Sequence, residues 1–340
     1  MKRLLKNNFF KIGFLLSGVF ILLAILGYLI TPDKTQNANH IMPEWANFSP
    51  GSKVLYLDVT EKCGTSFWDD FTGREVAVER LSIVPGSFRS VGKKVKFKHL
   101  KTRTDVEYES SYFSTSIPQE KTFFLGTDGF GRDILSRLII GARISLSIGF
   151  LAMILSLIIG VTVGLLAGYY GGWIDQFLSW LITVFWSVPT LLLALGLSVV
   201  FGKGYYQVLL ATGLSTWVEV ARVVRGQTLQ IKNQEFILSA RITGFSNGRI
   251  MFKHILPNLT GSLSVLATTN FASAILLEAG LGFLGLGVSP PIPSWGIMVK
   301  ENLGFLVLGQ AYLAVIPGLA IMVLVMAFNF MAMGFREVNE

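Results

Sequence analysis

Apolar residues run along this chain in long blocks, too long for strands and too continuous for the one-sided face of a soluble helix. The first covers about 9–30, and five more cover about 144–168, 176–201, 206–224, 259–288 and 306–333. Each comes close to or passes the ~20 residues with which a helix crosses the ~30 Å hydrocarbon layer of a bilayer. The pattern predicts an all-α polytopic membrane protein with six transmembrane helices. Lys2, Arg3, Lys6 and Lys11 precede or open the first block. Such a flank suits a secretory signal as well as a membrane helix. The block is long enough to span, and no small-x-small cleavage site follows in "GYLITPDKTQ". Residues 1–30 therefore read as an uncleaved first helix with its N-terminus in the cytoplasm.

Residues 31–120 break the pattern. They hold twelve acidic and twelve basic residues. "KVLYLDVT", "EVAVERLSIV", "KKVKFKHLK" and "TDVEYESSYFST" alternate and are rich in Val, Tyr and Phe, with "SPGS" and "VPGSF" as punctuation. This predicts a β-rich insertion, extracytoplasmic if the first helix runs outward. Residues 121–340 return to the membrane as a five-helix core. Counting crossings puts both termini, the 169–175 turn and the loop 225–258 in the cytoplasm. That loop carries Arg225, Lys232, Arg241, Arg249, Lys253 and His254 against the single acid Glu235, as the positive-inside rule requires. Arg132, Arg137 and Arg143 fall on the outer side, in a long translocated segment where the rule is weak.

Composition agrees. Hydrophobic residues make up 51% of the 340, charged residues only 15%, and the mean hydropathy is +0.56. Soluble domains carry about 25% charge. The net charge of +8 fits cytoplasmic loops rich in Lys and Arg better than nucleic-acid binding. Cys63 is alone, so no internal disulfide forms, and His40, His99 and His254 lie too far apart in sequence for a metal-ligand motif. No phosphate loop, nucleophile elbow or H-E-x-x-H occurs. "GLGFLG" (280–285) matches G-x-G-x-x-G but ends an apolar block with no preceding strand, so it is no dinucleotide site. These residues offer no covalent chemistry and no cofactor site of the chain's own.

Four features go beyond hydropathy. Gly160, Gly164 and Gly168 recur every fourth residue, a stripe that lets another helix approach closely. Glu219 and Glu278 lie in or near spans, where an ionisable group is costly and faces protein or a cavity. Asn270, Ala274 and Glu278 share one helix face. That face lines a path, or else Glu278 reaches the headgroups or makes an interhelical hydrogen bond. Finally, "KNQEFILSARITG" followed by "FSNGRIMFKHILPN" predicts helix–Gly244–helix before Pro257. The amphipathic basic element docks into a partner's groove through Ile250, Met251 and Phe252, with Arg249 and Lys253 at the rim, or else lies on lipid.

A resemblance bears on that choice. Ala240, Gly244 and "HILPN" resemble the cytoplasmic coupling loop of ABC importer membrane subunits. "LGTDGFGRDILSRLIIGARISLSIG", "AGYYGGWID", "VRGQ", "KHILPN" and "LGFLGLGVSPPIPSWG" together resemble the second permease of peptide and nickel importers, over about 121–335. Two departures stand out. The family's loop reads Glu-Ala-Ala before the glycine, where this chain has Leu238, Ser239 and Ala240, and Glu235 lies three residues earlier. The insertion is also longer than the family's.

The resemblance implies a permease subunit of an ATP-driven importer in the bacterial cytoplasmic (inner) membrane. It implies a path for di- or oligopeptides formed with a homologous second permease. It also implies two separate ATPase subunits that bind ATP and Mg, and an extracytoplasmic substrate-binding protein. Ala240, Gly244, Arg249, Ile250, Met251, Phe252, Ile255, Leu256 and Pro257 would form the ATPase-coupling loop. Gly126, Thr127, Asp128, Gly131, Arg132 and Asp133 would form the extracytoplasmic motif, and Asn270 and Glu278 part of the path. Nickel or another small solute is the alternative cargo. An ATP-independent secondary transporter or channel would call for mid-membrane ionisable residues and internal repeats. A membrane-embedded enzyme would call for a nucleophile–base pair or a metal cluster.

Overall fold

The computed structural model describes residues 4–33, 35–59, 80–114 and 117–339; Cys63 lies outside them. The chain opens with α1 (Asn8–Ile25), whose N-cap Asn7 accepts from the Phe10 amide, and a short helical turn, Gly27–Ile30. Strands β1 (Ser52–Asp58), β2 (Arg80–Ile83), β3 (Arg89–Val91), β4 (Lys94–Lys98), β5 (Asp105–Glu109) and β6 (Gln119–Phe123) follow. Then come α2 (Ile134–Tyr170), α3 (Gly172–Trp186), α4 (Thr190–Phe201), α5 (Tyr205–Ile231) and α6 (Glu235–Ile242). The last helices are α7 (Asn247–Ile250), α8 (Thr260–Phe283), α9 (Trp295–Glu301) and α10 (Tyr312–Asn339).

Among the described residues the strands form two antiparallel three-stranded sheets, β2-β1-β6 and β3-β4-β5. Period-two alternation decides what each face does. On β4, Val95 and Phe97 point inward to Leu57, Ile83 and Phe113, while Lys94, Lys96 and Lys98 are exposed. Glu107 on the neighbouring strand lies 3.0 Å from Lys94 and 2.8 Å from Lys96, and their hydrogen bonds hold its carboxyl below the usual range. Strand β6 pairs with β1 as far as Phe123. The expected boundary at 120 therefore falls inside a strand, because the ladder needs those last residues.

Among the described residues four helices are long and apolar enough to cross a membrane: α1, α2, α8 and α10. The pair α3 and α4, bent by 88° at residues 187–189, counts as a fifth if taken as one span. The block expected at 206–224 lies in α5, which is not among them, since Glu219, Arg222 and several hydroxyl side chains lower its hydropathy. Six spans are thus not evident from length and composition alone.

Packing orders these helices. The stripe on α2 faces α5: a Cβ added at Gly160 would sit 2.7 Å from the Trp217 carbonyl oxygen, and one at Gly164 would sit 2.6 Å from that of Ala221. One at Gly168 would meet Thr228 Cβ at 2.7 Å. Later glycines on α2 meet later residues on α5, so the two helices run parallel. Tyr205 at the head of α5 donates to Ser147 Oγ (2.9 Å), and Lys232 at its foot donates to the Gly168 carbonyl (2.8 Å). The shared length, 147–168, is about 32 Å at 1.5 Å per residue, close to the bilayer core. Because α2 and α5 are parallel, α3 and α4 carry the chain back along that length between them. α8 runs antiparallel to α2, with Phe271 and Ile275 against Gly149. α10 packs antiparallel to α1, with Gly13 on Ala327 and Phe10 on Gly334. The bundle thus has a sheet end, where β1–β6 sit, and a loop end, where α6 and α7 sit.

Gly164→Ala should lose about 1–3 kcal/mol of stability, the usual cost of overpacking, because the atom it meets is backbone. Gly226→Ala, which adds a Cβ into open space, should not. Thermal unfolding of the purified chain in detergent compares them, and equal losses would show that the stripe does not set the α2–α5 approach.

Candidate functional site

The loop end is built on α2 and α5. Asp175 on α3 takes two hydrogen bonds from the Arg225 guanidinium, 2.5 and 2.8 Å. Tyr169 donates to Asn247 Oδ1 (2.8 Å), and the Arg241 guanidinium lies 5.1 Å from the Tyr169 ring centre.

Helix α6 ends as the sequence predicts. Gly244 has φ +81°, its amide donates to Arg241 O (3.0 Å), and the Phe245 amide donates to Ala240 O (3.1 Å). These are the two bonds of a glycine-ended C-cap. Helix α7 then continues as a π-helical turn, Met251–Ile255, and a last turn, Leu256–Asn258, that contains Pro257.

The apolar residues of this element face inward more than expected. Ile250, Met251 and Ile255 are buried with Ile237 and Ala240 against Leu165, Tyr169, Val220 and Val224. The expectation that Ile250 and Met251 reach a partner is therefore corrected: i, i+1 and i+5 seat on the chain's own α2–α5 pair. Leu256 is half-buried beside them, and Pro257 is exposed. Phe252 remains outward, 63% exposed, with Ile242 at 87%. Phe245 is partly exposed between Arg249, whose guanidinium lies 4.5 Å from its ring centre, and His254, stacked at 5.6 Å. Leu238, where the resemblance leads one to expect glutamate, is exposed on α6. The sequence missed Ile242 and Phe245 because periodicity marks an apolar residue without saying which side of a short helix the bundle covers.

At the sheet end, residues 126–133 form a tight turn that joins sheets to helices. Gly126 and Gly131 both have φ +77°, and a Cβ at either would strike a backbone oxygen, that of Phe48 or Met42. Thr127 Oγ1 bonds the Trp45 carbonyl and accepts from the Phe48 amide. Asp128 accepts from the amides of Phe130 and Arg132 and from Arg132 Nε (2.7 Å). Arg132 and Arg137 both reach Glu301 Oε2, at 2.7 and 3.1 Å. Asp133 caps α2 through Ser136. The motif residues thus spend their polar atoms on one another, on nearby backbone and on the side chains of Ser136 and Glu301.

Glu278 and Asn270 lie inside the bundle. Glu278 is fully buried and accepts from Ser145 Oγ (2.9 Å), and Asn270 donates to Ser156 Oγ (3.0 Å) and Thr216 O (3.2 Å). Of the two readings left open for this face, an interhelical hydrogen bond describes Glu278. Asn270 also touches a cavity of about 410 Å³ between the α3–α4 bend, α5 and α8, lined in part by Thr190, Ser215, Glu219, Arg222 and Ser273. Glu219 and Arg222 are exposed on one face of α5, beside Val220, which meets Gly160 near the middle of the α2–α5 contact. The Arg222 guanidinium lies 4.0 Å from the Trp186 ring centre, and Glu219 has no ion-pair partner among the described residues. Arg222 was missed; the signal was a charge three residues from Glu219 inside an apolar run.

Among the described residues no cluster of His, Cys, Asp or Glu could hold a metal. What the helices offer is a polar face at mid-depth and an exposed apolar edge on a loop seated against α2 and α5. Residues 160–339 match the family described as binding-protein-dependent transport system inner membrane component, and the chain belongs to it. It is 41% identical over 214 residues to the dipeptide transport system permease protein DppC of Alkalihalophilus pseudofirmus, covering 63% of this chain and 70% of that one. It is 40% identical over 220 residues to the oligopeptide transport system permease protein OppC of Bacillus subtilis, 65% and 72% of the two chains. The glutathione transport system permease protein GsiD of Escherichia coli is 42% identical over 233 residues, 68% and 77%.

Gly244→Val should break the α6–α7 turn, since φ +81° costs a residue with a Cβ about 1–2 kcal/mol, more for a β-branched one. Limited proteolysis of the purified chain should cut faster between 240 and 250 in the variant, with α2–α5 intact. An unchanged rate would mean that the turn tolerates a side chain.

Proposed function

We propose that this chain is one permease subunit of an ATP-driven importer of di- or oligopeptides, and that a homologous second permease covers the cavity face to complete the path. The observation that carries this reading is the Glu219–Arg222 face. Two ionisable groups exposed halfway along a bundle helix are expensive against lipid and tolerable against water or protein. A partner permease and a wet path supply both. The same face accounts for the low hydropathy of α5, which then serves as the fourth of six spans. The peptide assignment is supported by the names of the relatives.

In this reading the sheet end is extracytoplasmic and receives a substrate-binding protein. The loop end and both termini are cytoplasmic, and two ATPase subunits, which hold ATP and Mg, meet the loop. The ATPase would grip Ile242, Phe245 and Phe252 at the exposed edge, with Arg249 at the rim. Ile250, Met251 and Ile255 would pass the displacement into α2 and α5. A ligand-driven change needs contacts that differ between two states, and a buried apolar seat under an exposed grip provides one lever. Reconstitution with the other subunits tests the function: ATP-dependent uptake of a labelled dipeptide is expected, and uptake that continues without ATP would favour a secondary transporter.

The two halves of the loop should separate by mutation. Phe252→Ala should weaken ATPase retention by about 2 kcal/mol, the scale of an interface hot spot, and leave permease stability unchanged. Ile250→Ala should cost about 2–5 kcal/mol of permease stability, as buried truncations do. Arg249→Ala should matter less for retention and mainly at low salt. Pull-down of the ATPase at two salt levels, beside thermal unfolding of each variant, reads all three. Full retention in Phe252→Ala with loss in Arg249→Ala would make the contact an electrostatic latch instead.

A further inference from the structure

A second concavity lies away from the polar cavity. Between α1, α2, α8 and α10 a groove of about 750 Å³ is lined by side chains that include Ile21, Leu146, Phe150, Met153, Phe271 and Phe328. In a bilayer an apolar lining alone selects nothing, since acyl chains wet any apolar surface as well as another helix does. What sets this groove apart is Arg143, the one charged residue on its wall among the described residues. Its guanidinium lies 5.4 Å from the Tyr28 ring centre. Arg132 and Arg137, earlier on the same side of the protein, both pair with Glu301. Arg143 has no ion-pair partner among the described residues. Glu278 does not serve, since it lies beside Ser145, which the helical repeat puts on another face of α2 from Arg143.

Depth identifies the counter-charge. Arg143 sits one turn to the sheet side of Ser147, the residue that meets Tyr205. Tyr28, Tyr205 and Tyr206 cluster near this level, and Tyr169, Tyr170 and Trp173 cluster at the other end of α2. Such rings of Tyr and Trp mark the two bilayer interfaces. A long arginine at the rim can extend its head into the headgroup layer while its stem stays in hydrocarbon. From Arg143 to Met153 the groove follows α2 inward for about 15 Å. A fixed, unpaired cation at headgroup depth above an apolar slot that points to the bilayer middle matches a phospholipid, with phosphate at the mouth and acyl chain in the slot. A helix from another chain would bury the guanidinium without a partner unless it brought an acid of its own.

We propose that this groove is a phospholipid site in which Arg143 holds the phosphate and the slot between α1, α2, α8 and α10 holds one acyl chain. The proposal does not depend on the cargo or on ATP coupling. The test uses the importer complex in nanodiscs of phosphatidylcholine with a minor fraction of phosphatidylglycerol, followed by detergent extraction and mass spectrometry of retained lipid. The wild type should retain phosphatidylglycerol. Arg143→Gln should lower its retention about tenfold, the effect of losing one charge-assisted hydrogen bond, and Arg143→Lys should recover part of it. Ala267→Phe fills the slot and keeps the cation, and it should lower retention without a change in Arg143. Equal retention in all four proteins would overturn the proposal. So would efficient cross-linking of Phe150→Cys to the second permease in the intact importer, since protein would then occupy the groove.

Discussion

Three glycines on one face of α2 let α5 lie against it nearly backbone to backbone, and most other elements take their positions from that parallel pair. Parallel neighbours in one chain require it to climb back between them, and α3 and α4 make that return through an 88° bend. The ion pair of Asp175 with Arg225 closes the foot of the return, and the Ser147–Tyr205 bond closes its head. α8 fills the remaining side of α2 through Phe271 and Ile275. Small residues make such contacts possible in lipid, where no hydrophobic force draws helices together and close packing does the work instead.

The loop takes its seat on the same pair. Its buried face is a cap on the foot of α2 and α5, and its exposed face is a narrow row of Ile242, Phe245 and Phe252. The glycine turn between α6 and α7 fixes the angle between the two faces. Leu238, which stands where the resemblance leads one to expect glutamate, falls on the exposed side, away from the buried seat.

Much of this was legible from residue order. Apolar block length gave α1, α2, α8 and α10. The four-residue spacing of Gly160, Gly164 and Gly168 gave a packing face, and Gly244 gave a helix stop. What stayed hidden depends on partners far away in sequence. Nothing near Ile250 or Met251 says that Leu165 and Val224 will cover them. Nothing near Glu278 says that Ser145, 133 residues earlier, will bond it. Block length alone does not carry α5 as a span, since a helix with Glu219 and Arg222 on one face is no longer apolar by average. The boundary at 120 failed for the reason that strand pairing is non-local: β6 belongs to the ladder started by β1.

The central claim is that the loop and the α2–α5 pair form one rigid lever. The direct measurement is a spin-label distance between Thr162 on α2 and Lys253 in the loop, both exposed, in a chain with Cys63 replaced by serine and assembled with its ATPases. The rigid-lever account predicts one narrow distance distribution, the same with and without a non-hydrolysable ATP analogue. A distribution that broadens or shifts by several ångströms on nucleotide binding would show that the loop moves over α2 and α5, and would contradict the account.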